Sequence, residues 1–443
     1  MRIHFVGIGG VGMSSLAIHC HLMGHDVYGS DISRNEHTEV LERLGVKIFL
    51  GHTRENWLNP ELLVHTPAVS ANNPELLRAQ EENVRIVTRF ELLRQLVESS
   101  TQFAVTGSDG KTTTTAMLAH VLKAIGADPT VFLGGMNPSL EFGNYRKGSG
   151  PFVYELDESQ PSFSSFHPTH LIITNARRDH LENFHGDESY YMSCFEKLAE
   201  SAQNVVTFQH DQLTSHLGHH TFGLDEGTCT LLDRKAERFE QVARIKLDGK
   251  IYTVRLRIPG FHNVLNAMAV VTLLWAAGID PLDTIQALSS FVGTYRRFTV
   301  TAIDESRNIY VVDDYAHTPD EIAWLIRTSR EVFTGLKQVM IFQPHRYTRL
   351  AREDGNFAKA LMEADEIYVA EVYSAFEQAL PNVSARMIVD GLKNYGKDAK
   401  YFSSIEELLK QIKPAPNTVY LFVGAGDIID YSRKFVREIA STQ

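Results

Sequence analysis

Cysteine is scarce: Cys20, Cys194 and Cys229 are the only three in 443 residues, with neither an even count nor metal-ligand spacing. That excludes a disulfide framework and leaves each as a small buried hydrophobe. Long apolar runs are missing too. The longest, Ala267–Ala277, is too short to span a bilayer, so no membrane insertion is expected. The opening MRIHFVGIGG runs straight into a strand pattern without the apolar segment of a cleavable leader, which points to a reducing cytoplasm. Lys/Arg-rich tracts are absent and the formal charge is −11, which argues against nucleic acid or an anionic membrane as the main partner. Small anionic ligands remain open through local sites, and oligomeric state is not written in the sequence.

What the chain does have is 43% hydrophobic content and 10% aromatics, ample for packed cores over about three domains' length. The stretch FAVTGSDGKTTTTAMLAH, residues 103–120, reads as a buried strand, a glycine-flanked turn and a helix opening on Lys-Thr. This is the grammar of a phosphate-binding loop. Gly107, Ser108, Asp109 and Gly110 would turn backbone amides toward one spot, and the helix N-terminus adds partial positive charge there. Lys111 adds a full charge, Thr112 can hold a magnesium ion beside a triphosphate, and Thr113 continues the helix start. The common pattern G-x-x-x-x-G-K-[ST] lacks its first glycine here, because Val105 stands in that place. The competing reading is a helix capped by Ser108 or Asp109 with an incidental lysine.

Ahead of that loop, Ile3–Val6 forms a strand followed by GIGGVG, in which Gly7, Gly9 and Gly12 match G-x-G-x-x-G, and a helix runs to about Met23. Gly9, Gly10, Val11 and Gly12 offer a diphosphate cradle. Asp26–Tyr28 reads as the second strand, with Ser30 and Asp31 after it, Asp31 at the spacing of a ribose-binding acid. The alternative is a plain strand-helix crossover. Further β/α alternation at Val46–Phe49, Leu62–His65 and Arg85–Thr88 leads to a boundary near residues 97–102. Beyond the phosphate loop, strands at Phe152–Leu156 and His170–Thr174 place Glu155 at the carboxyl edge of the sheet, where it can reach a metal ion held by Thr112, and then Asp179 and His180 at the same edge, as metal ligands or as a structural pair.

Residues 200–257 look rich in strands and loops. A helix from Pro259-Gly260 to Ala277 carries Asn263 and Asn266 on one face at its start, where their amides suit a purine edge or simple capping. A further helix, about Asp283–Phe291, leads to TYRRF, in which Arg296 and Arg297 read as a hinge that also reaches phosphate. Strands at Tyr310–Asp313, Gln338–Phe342, Glu366–Ala370 and Thr418–Val423 form a last open α/β sheet. The strand ends carry DDYAHTP and QPHRYTR, both dense in polar groups. The whole is expected to be α/β, with three open-sheet domains: a Rossmann-like domain over 1–97, a phosphate-loop domain over 98–294 and a Rossmann-like domain over 295–443.

Taken in order, TGSDGKTTT, YELDES, TNARRDH, PGFHNVLNA, RRF and DDYAHTP resemble the Mur ligase family, the ATP-dependent amide ligases of peptidoglycan precursor synthesis. Within it GIGGVGMS, FVGAGDI and FQPHRYTR are similar to the member that joins L-alanine to UDP-N-acetylmuramate. DDYAHTP is closer to the member adding the third residue, and Arg177 stands where an acid is usual. The resemblance implies ATP and Mg2+, with Lys111 on the β- and γ-phosphates, Thr112 on one magnesium, and Glu155 with His180 on a second. It implies Asn263 and Asn266 around the adenine, and Arg297 with Asp314 completing the nucleotide site. The UDP diphosphate would lie on the first glycine loop. Tyr315, His317, His345, Arg346 and Arg349 would hold the amino acid. The carbamylated lysine of some members falls near Phe195, so no such modification is expected. Two rivals remain, an NAD-dependent dehydrogenase, which leaves the phosphate loop unexplained, and a nucleotide-binding module that has lost catalysis.

Overall fold

The computed structural model describes residues 1–441 apart from 179, 354 and 376. Strands β1 (Arg2–Val6), β2 (Asp26–Asp31), β3 (Lys47–Leu50), β4 (Leu62–His65) and β5 (Arg85–Thr88) form a parallel sheet in the order β3-β2-β1-β4-β5. The near-continuous burial of β1 is what a central strand covered by helices on both faces requires. Strand β2 runs on past Tyr28, so Ser30 and Asp31 end a strand.

A second sheet is built from β6 (Gln102–Thr106), β7 (Thr130–Phe132), β8 (Tyr145–Arg146), β9 (Phe152–Glu155) and β10 (His170–Ile173), followed by β11 (Asn204–Phe208), β12 (His220–Gly223), β13 (Cys229–Glu237), β14 (Glu240–Leu247) and β15 (Lys250–Leu256). Its order is β15-β14-β13-β12-β11-β10-β6-β9-β7-β8. Strand β6 lies between β10 and β9, parallel to both. The helix Lys111–Ala124 follows β6 and buries Ala116, Met117, Leu118, Val121 and Leu122. It ends where Gly126 takes a φ of +82°, a left-handed turn that favours glycine.

A third sheet contains β16 (Thr299–Asp304), β17 (Ile309–Asp314), β18 (Lys337–Phe342), β19 (Glu366–Ala370), β20 (Ala399–Phe402) and β21 (Thr418–Val423), in the order β16-β17-β21-β18-β19-β20. Only β16 is antiparallel to its neighbour. Successive residues alternate between two cores: Val312, Phe342 and Leu421 pack on one face, Val311, Ile341 and Phe422 on the other. Each such burial contributes about 1.5–3 kcal/mol.

Packing divides the chain into two compact units. One holds Met1–Asp233, Ala243–Val254 and Leu265–Phe291; the other holds Arg234–Val242, Arg255–Val264 and Val292–Gln443. Among the described residues no helix is long and apolar enough to cross a membrane.

Candidate active site

Parallel pairing brings the carboxyl ends of β6, β9 and β10 together, with Val105 opposite Glu155 and Thr106 opposite Ile173. The loop Gly107–Gly110 leaves that edge. Gly110 opens the helix in a left-handed conformation, φ +81°, and a Cβ there would lie 2.8 Å from Asn266 Oδ1. Gly107 has a φ of +122°, and a Cβ on it would collide with Thr174 Oγ1 and Asn175 O. Both positions therefore need glycine.

Lys111 Nζ donates to Gly107 O at 2.5 Å, Ser108 O at 3.1 Å and Glu158 Oε2 at 2.8 Å. Burial alone would lower its pKa, but the carboxylates of Glu158, Glu155 and Asp157 outweigh that and keep the ammonium charged. Thr112 Oγ1 donates to Glu155 Oε2 at 2.9 Å. Opposite that carboxylate stands Gly134, where a Cβ would come within 2.5–2.6 Å of the Glu155 oxygens. A hydroxyl and a carboxylate side by side, with room kept by a missing side chain, suit a hard cation with oxygen ligands.

The segment after β10 locks the loop from the other side. Asn175 takes the Ser108 N–H on its carbonyl at 3.0 Å and the Asp109 N–H on Oδ1 at 2.9 Å. Thr174 Oγ1 donates to Asp109 O at 2.6 Å. The Ser108 and Asp109 amides are thus spent inside the protein, which corrects the expectation that all loop amides face one ligand. The amides that open the helix Lys111–Ala124 have no acceptor within the helix, the ordinary condition of a helix N-terminus. Arg177 donates its N–H to Ser108 Oγ at 2.9 Å, and its guanidinium pairs with the Asp109 carboxylate.

His180 takes a left-handed backbone, φ +61°, with Nδ1 3.5 Å from Glu182 Oε1. The turn after it is tethered to the loop beyond β9 by Asn183 Nδ2 donating to Ser159 O at 2.8 Å. Asp179 lies outside the described residues. Among those described, no group of three or more His, Cys, Asp or Glu side chains is set to hold a metal. Asn263 donates from Nδ2 to Pro259 O at 2.6 Å, a bond local to the helix start.

At the first glycine loop, Gly9 N donates to Asp31 Oδ2 at 2.8 Å and Asn35 Nδ2 to Gly9 O at 3.1 Å. Asp31 thus uses one carboxylate oxygen to fix the loop, a task its spacing alone does not separate from ribose binding. Ser30 is fully buried, with its hydroxyl on Glu75 Oε2 at 2.5 Å and 2.9 Å from His52 Nδ1, so it anchors a buried polar cluster. Burial would raise the Glu75 carboxyl, yet His4, His52 and Ser30 hold it down to about 2. Arg89 comes close to Gly12, where a Cβ would lie 2.7 Å from Nη1, and reaches Asp157 Oδ2 at 2.9 Å through Nη2.

The other unit has its own polar cluster at the ends of β17 and β18. Asp314 accepts from Phe298 N and Ala316 N, each at 2.7 Å, so its carboxylate shapes the turn. Arg297 Nη1 donates to Glu321 Oε1 at 3.4 Å, and Glu321 also accepts from His317 N at 2.9 Å. The guanidiniums of Arg296 and Arg297 each lie 5.1 Å from the Tyr315 ring. Tyr315 sits edge-on to His317 at 5.5 Å, and His317 lies 6.2 Å from His345. Arg349, 6% exposed, donates from Nη1 to His345 Nδ1 at 3.2 Å. Arg346 has a φ of +73° and ψ of 134°, strained for any residue with a Cβ, and its N–H is held by Tyr373 O at 2.9 Å. Tyr373 also stacks on His345 at 5.5 Å.

Burial, with the nearby positive groups, pushes His317 down to about 4 and His345 to about 3. Both rings are neutral at pH 7. With Nδ1 accepting from Arg349, the His345 proton sits on Nε2.

The residues that sequence reasoning missed are the partners: Glu158, Asn175, Arg89, Glu75, Glu321 and Tyr373. Glu158 had a signal, the acidic DES directly after a strand end; Tyr373 had none.

Residues 2–101 match the Mur ligase family catalytic domain, residues 105–274 the Mur ligase middle domain and residues 296–426 the Mur ligase glutamate ligase domain. The UDP-N-acetylmuramate--L-alanine ligase of Pseudothermotoga lettingae is 60% identical over 440 residues, covering 99% of both chains. A crystal structure of UDP-N-acetylmuramate-alanine ligase from Thermotoga maritima superposes with a TM-score of 0.92 at 52% identity, covering 100% of both chains. A MurF ligase from the same organism in complex with ADP shares the fold at 20% identity and a TM-score of 0.62, covering 94% of this chain and 96% of that one. With three family domains in sequence and such relatives along its whole length, the chain belongs to the Mur ligase family.

Proposed function

We propose that this chain joins L-alanine to the lactyl carboxylate of UDP-N-acetylmuramate with ATP, through an acyl phosphate, releasing ADP and phosphate in cytoplasmic peptidoglycan precursor synthesis. The observation that carries the reading is the full-length match, at 52–60% identity, to proteins bearing that activity in their names. The phosphate loop supplies the chemistry it needs.

A carboxylate is a poor electrophile, so it is activated by taking the γ-phosphoryl group, after which the alanine amine attacks the acyl carbon and phosphate leaves. Lys111 holds the β- and γ-phosphates, exchanging Glu158 and the loop carbonyls for phosphate oxygens. Gly107, Ser108, Asp109, Gly110 and Thr113 shape the triphosphate cradle. Asn263, Asn266 and Arg297 serve the rest of the nucleotide, and Asp314 holds the turn that carries Tyr315. Mg2+ would be held by Thr112 at one site and by Glu155 with His180 at a second, and would neutralise charge between two anionic reactants. Gly9, Gly10, Val11 and Gly12 cradle the UDP diphosphate, with Asp31 and Ser30 fixing that loop. Arg346 and Arg349 hold the alanine carboxylate by paired charge-assisted bonds, and His345 Nε2–H, His317 and Tyr315 close a small pocket.

The test is a screen of amino acids with UDP-N-acetylmuramate and ATP, reading ADP. ADP that appears only when L-alanine and the UDP-sugar are both present supports the reading; a different amino acid or a peptide required in its place overturns it.

A further inference from the structure

The phosphate loop carries an acid of its own. Asp109 stands two residues before Lys111, so its Cα lies within about 7.6 Å of the lysine's, and a carboxylate there repels the very anion the loop is built to hold. Lys111 does not answer it, because Nζ is directed to Gly107 O, Ser108 O and Glu158. The answering charge comes from the next strand end. We propose that Arg177 is a positioning residue for nucleotide phosphate: by pairing with Asp109 it cancels the loop's carboxylate and turns it aside from the entering triphosphate.

The geometry is preset. Arg177 is fastened to two consecutive loop residues, through its N–H to Ser108 Oγ at 2.9 Å and through its guanidinium to Asp109. Thr174 and Asn175, on the same short segment, bind the loop backbone at Asp109 O, Asp109 N and Ser108 N. The pair is partly withdrawn from water, with side chains 28% and 19% exposed, so its charges are less screened than surface ones. Arg177 thus acts on the phosphates through Asp109. The inference rests on the reading that this loop takes ATP.

The experiment measures dissociation constants for ATP, ADP and adenosine on the full chain and on Arg177→Ala, Arg177→Lys, Asp109→Asn and the double variant Arg177→Ala/Asp109→Asn, with thermal unfolding alongside. Arg177→Ala should weaken ATP by about tenfold or more, ADP less, and adenosine by less than about twofold. Arg177→Lys should fall between, and the double variant should recover most of the ATP affinity. Asp109→Asn alone should tighten ATP, since the released guanidinium then adds positive charge, and that arm stands even if Arg177→Ala does not fold. Unchanged ATP affinity in Arg177→Ala, a double variant as weak as the single, or equal losses for adenosine and ATP would each overturn the inference while wild-type ATP binding leaves the loop's assignment standing. Wild-type protein that binds no ATP would overturn both.

Discussion

The Thr112 hydroxyl donates to the Glu155 carboxylate at 2.9 Å, joining the first turn of a helix to the end of a strand 43 residues away. Gly134 keeps the space beside that carboxylate open. Glu155→Gln keeps the shape and removes the charge, so it should act on the chemical step, lowering turnover by at least about tenfold while ATP affinity changes less. His180→Ala should show the same split. Single-turnover phosphate release read beside ATP titration checks both. A variant that lost ATP binding yet kept its maximal rate would place the residue elsewhere.

Lys111→Ala should lower the rate at least about a hundredfold, roughly 3 kcal/mol of transition-state stabilisation. UDP-N-acetylmuramate binding should stay nearly intact, because the diphosphate cradle proposed at Gly9–Gly12 belongs to a different sheet. Calorimetric titration of the UDP-sugar, run beside the activity assay, reads the two apart. Near-normal turnover would remove the loop from the reaction.

Gly107→Ala tests the loop's backbone. At a φ of +122°, with Thr174 Oγ1 and Asn175 O in the place of a Cβ, the added methyl strains the turn and pushes on the segment that holds it. A loss of about 1–3 kcal/mol in stability is expected, with weaker ATP binding. Gly186→Ala is the comparison: its φ is also positive, +72°, but nothing lies within 4 Å of its Cβ position. It should cost less and leave ATP binding alone.

Much of this was legible in the sequence where a local rule applied. Glycines flanking Ser108-Asp109 before a Lys-Thr helix start announce their own conformation, and parallel strands announce themselves as short buried apolar runs. What stayed hidden was pairing at a distance. Glu158 meets Lys111 across 47 residues and Arg89 meets Asp157 across 68, separations that leave no period to read. Asp31 shows the converse limit. Its spacing fits ribose binding, yet one of its carboxylate oxygens bonds the glycine loop itself, and only geometry tells the two tasks apart. Edge strands such as β8, of two residues, carry too little pattern to be seen.

The imidazoles of His317 and His345 make the stability of their unit depend on pH. Both sit below the ordinary 6.5, at about 4 and about 3, so between those values and 6.5 the unfolded chain binds protons that the folded one refuses. Stability is therefore fully present above 6.5 and falls as pH drops toward 4. Thermal unfolding between pH 7.5 and 4.5 should show the decline, and His345→Asn should flatten it. A flat wild-type profile across that range would mean these rings are not held neutral.

In the proposed function, binding of the amino acid rests on the arginine fork. Arg349 is packed against His345 through Nη1, and in the proposed role as a bidentate partner for the alanine carboxylate its two parallel bonds could not be reproduced by an ammonium. Arg349→Lys should raise the alanine Michaelis constant at least about tenfold, with a smaller change in turnover, because the carboxylate is held in ground and transition state alike. In the proposed pocket, closed by His345, His317 and Tyr315, steric fit of a methyl group would discriminate only weakly. One methylene more or less is worth about 1–3 kcal/mol, so glycine and serine should be slow substrates, not excluded ones. Competition assays giving kcat/KM for alanine, glycine and serine check this. Preference for a large or dicarboxylic amino acid would overturn the pocket and favour the DDYAHTP resemblance to the ligase adding the third residue.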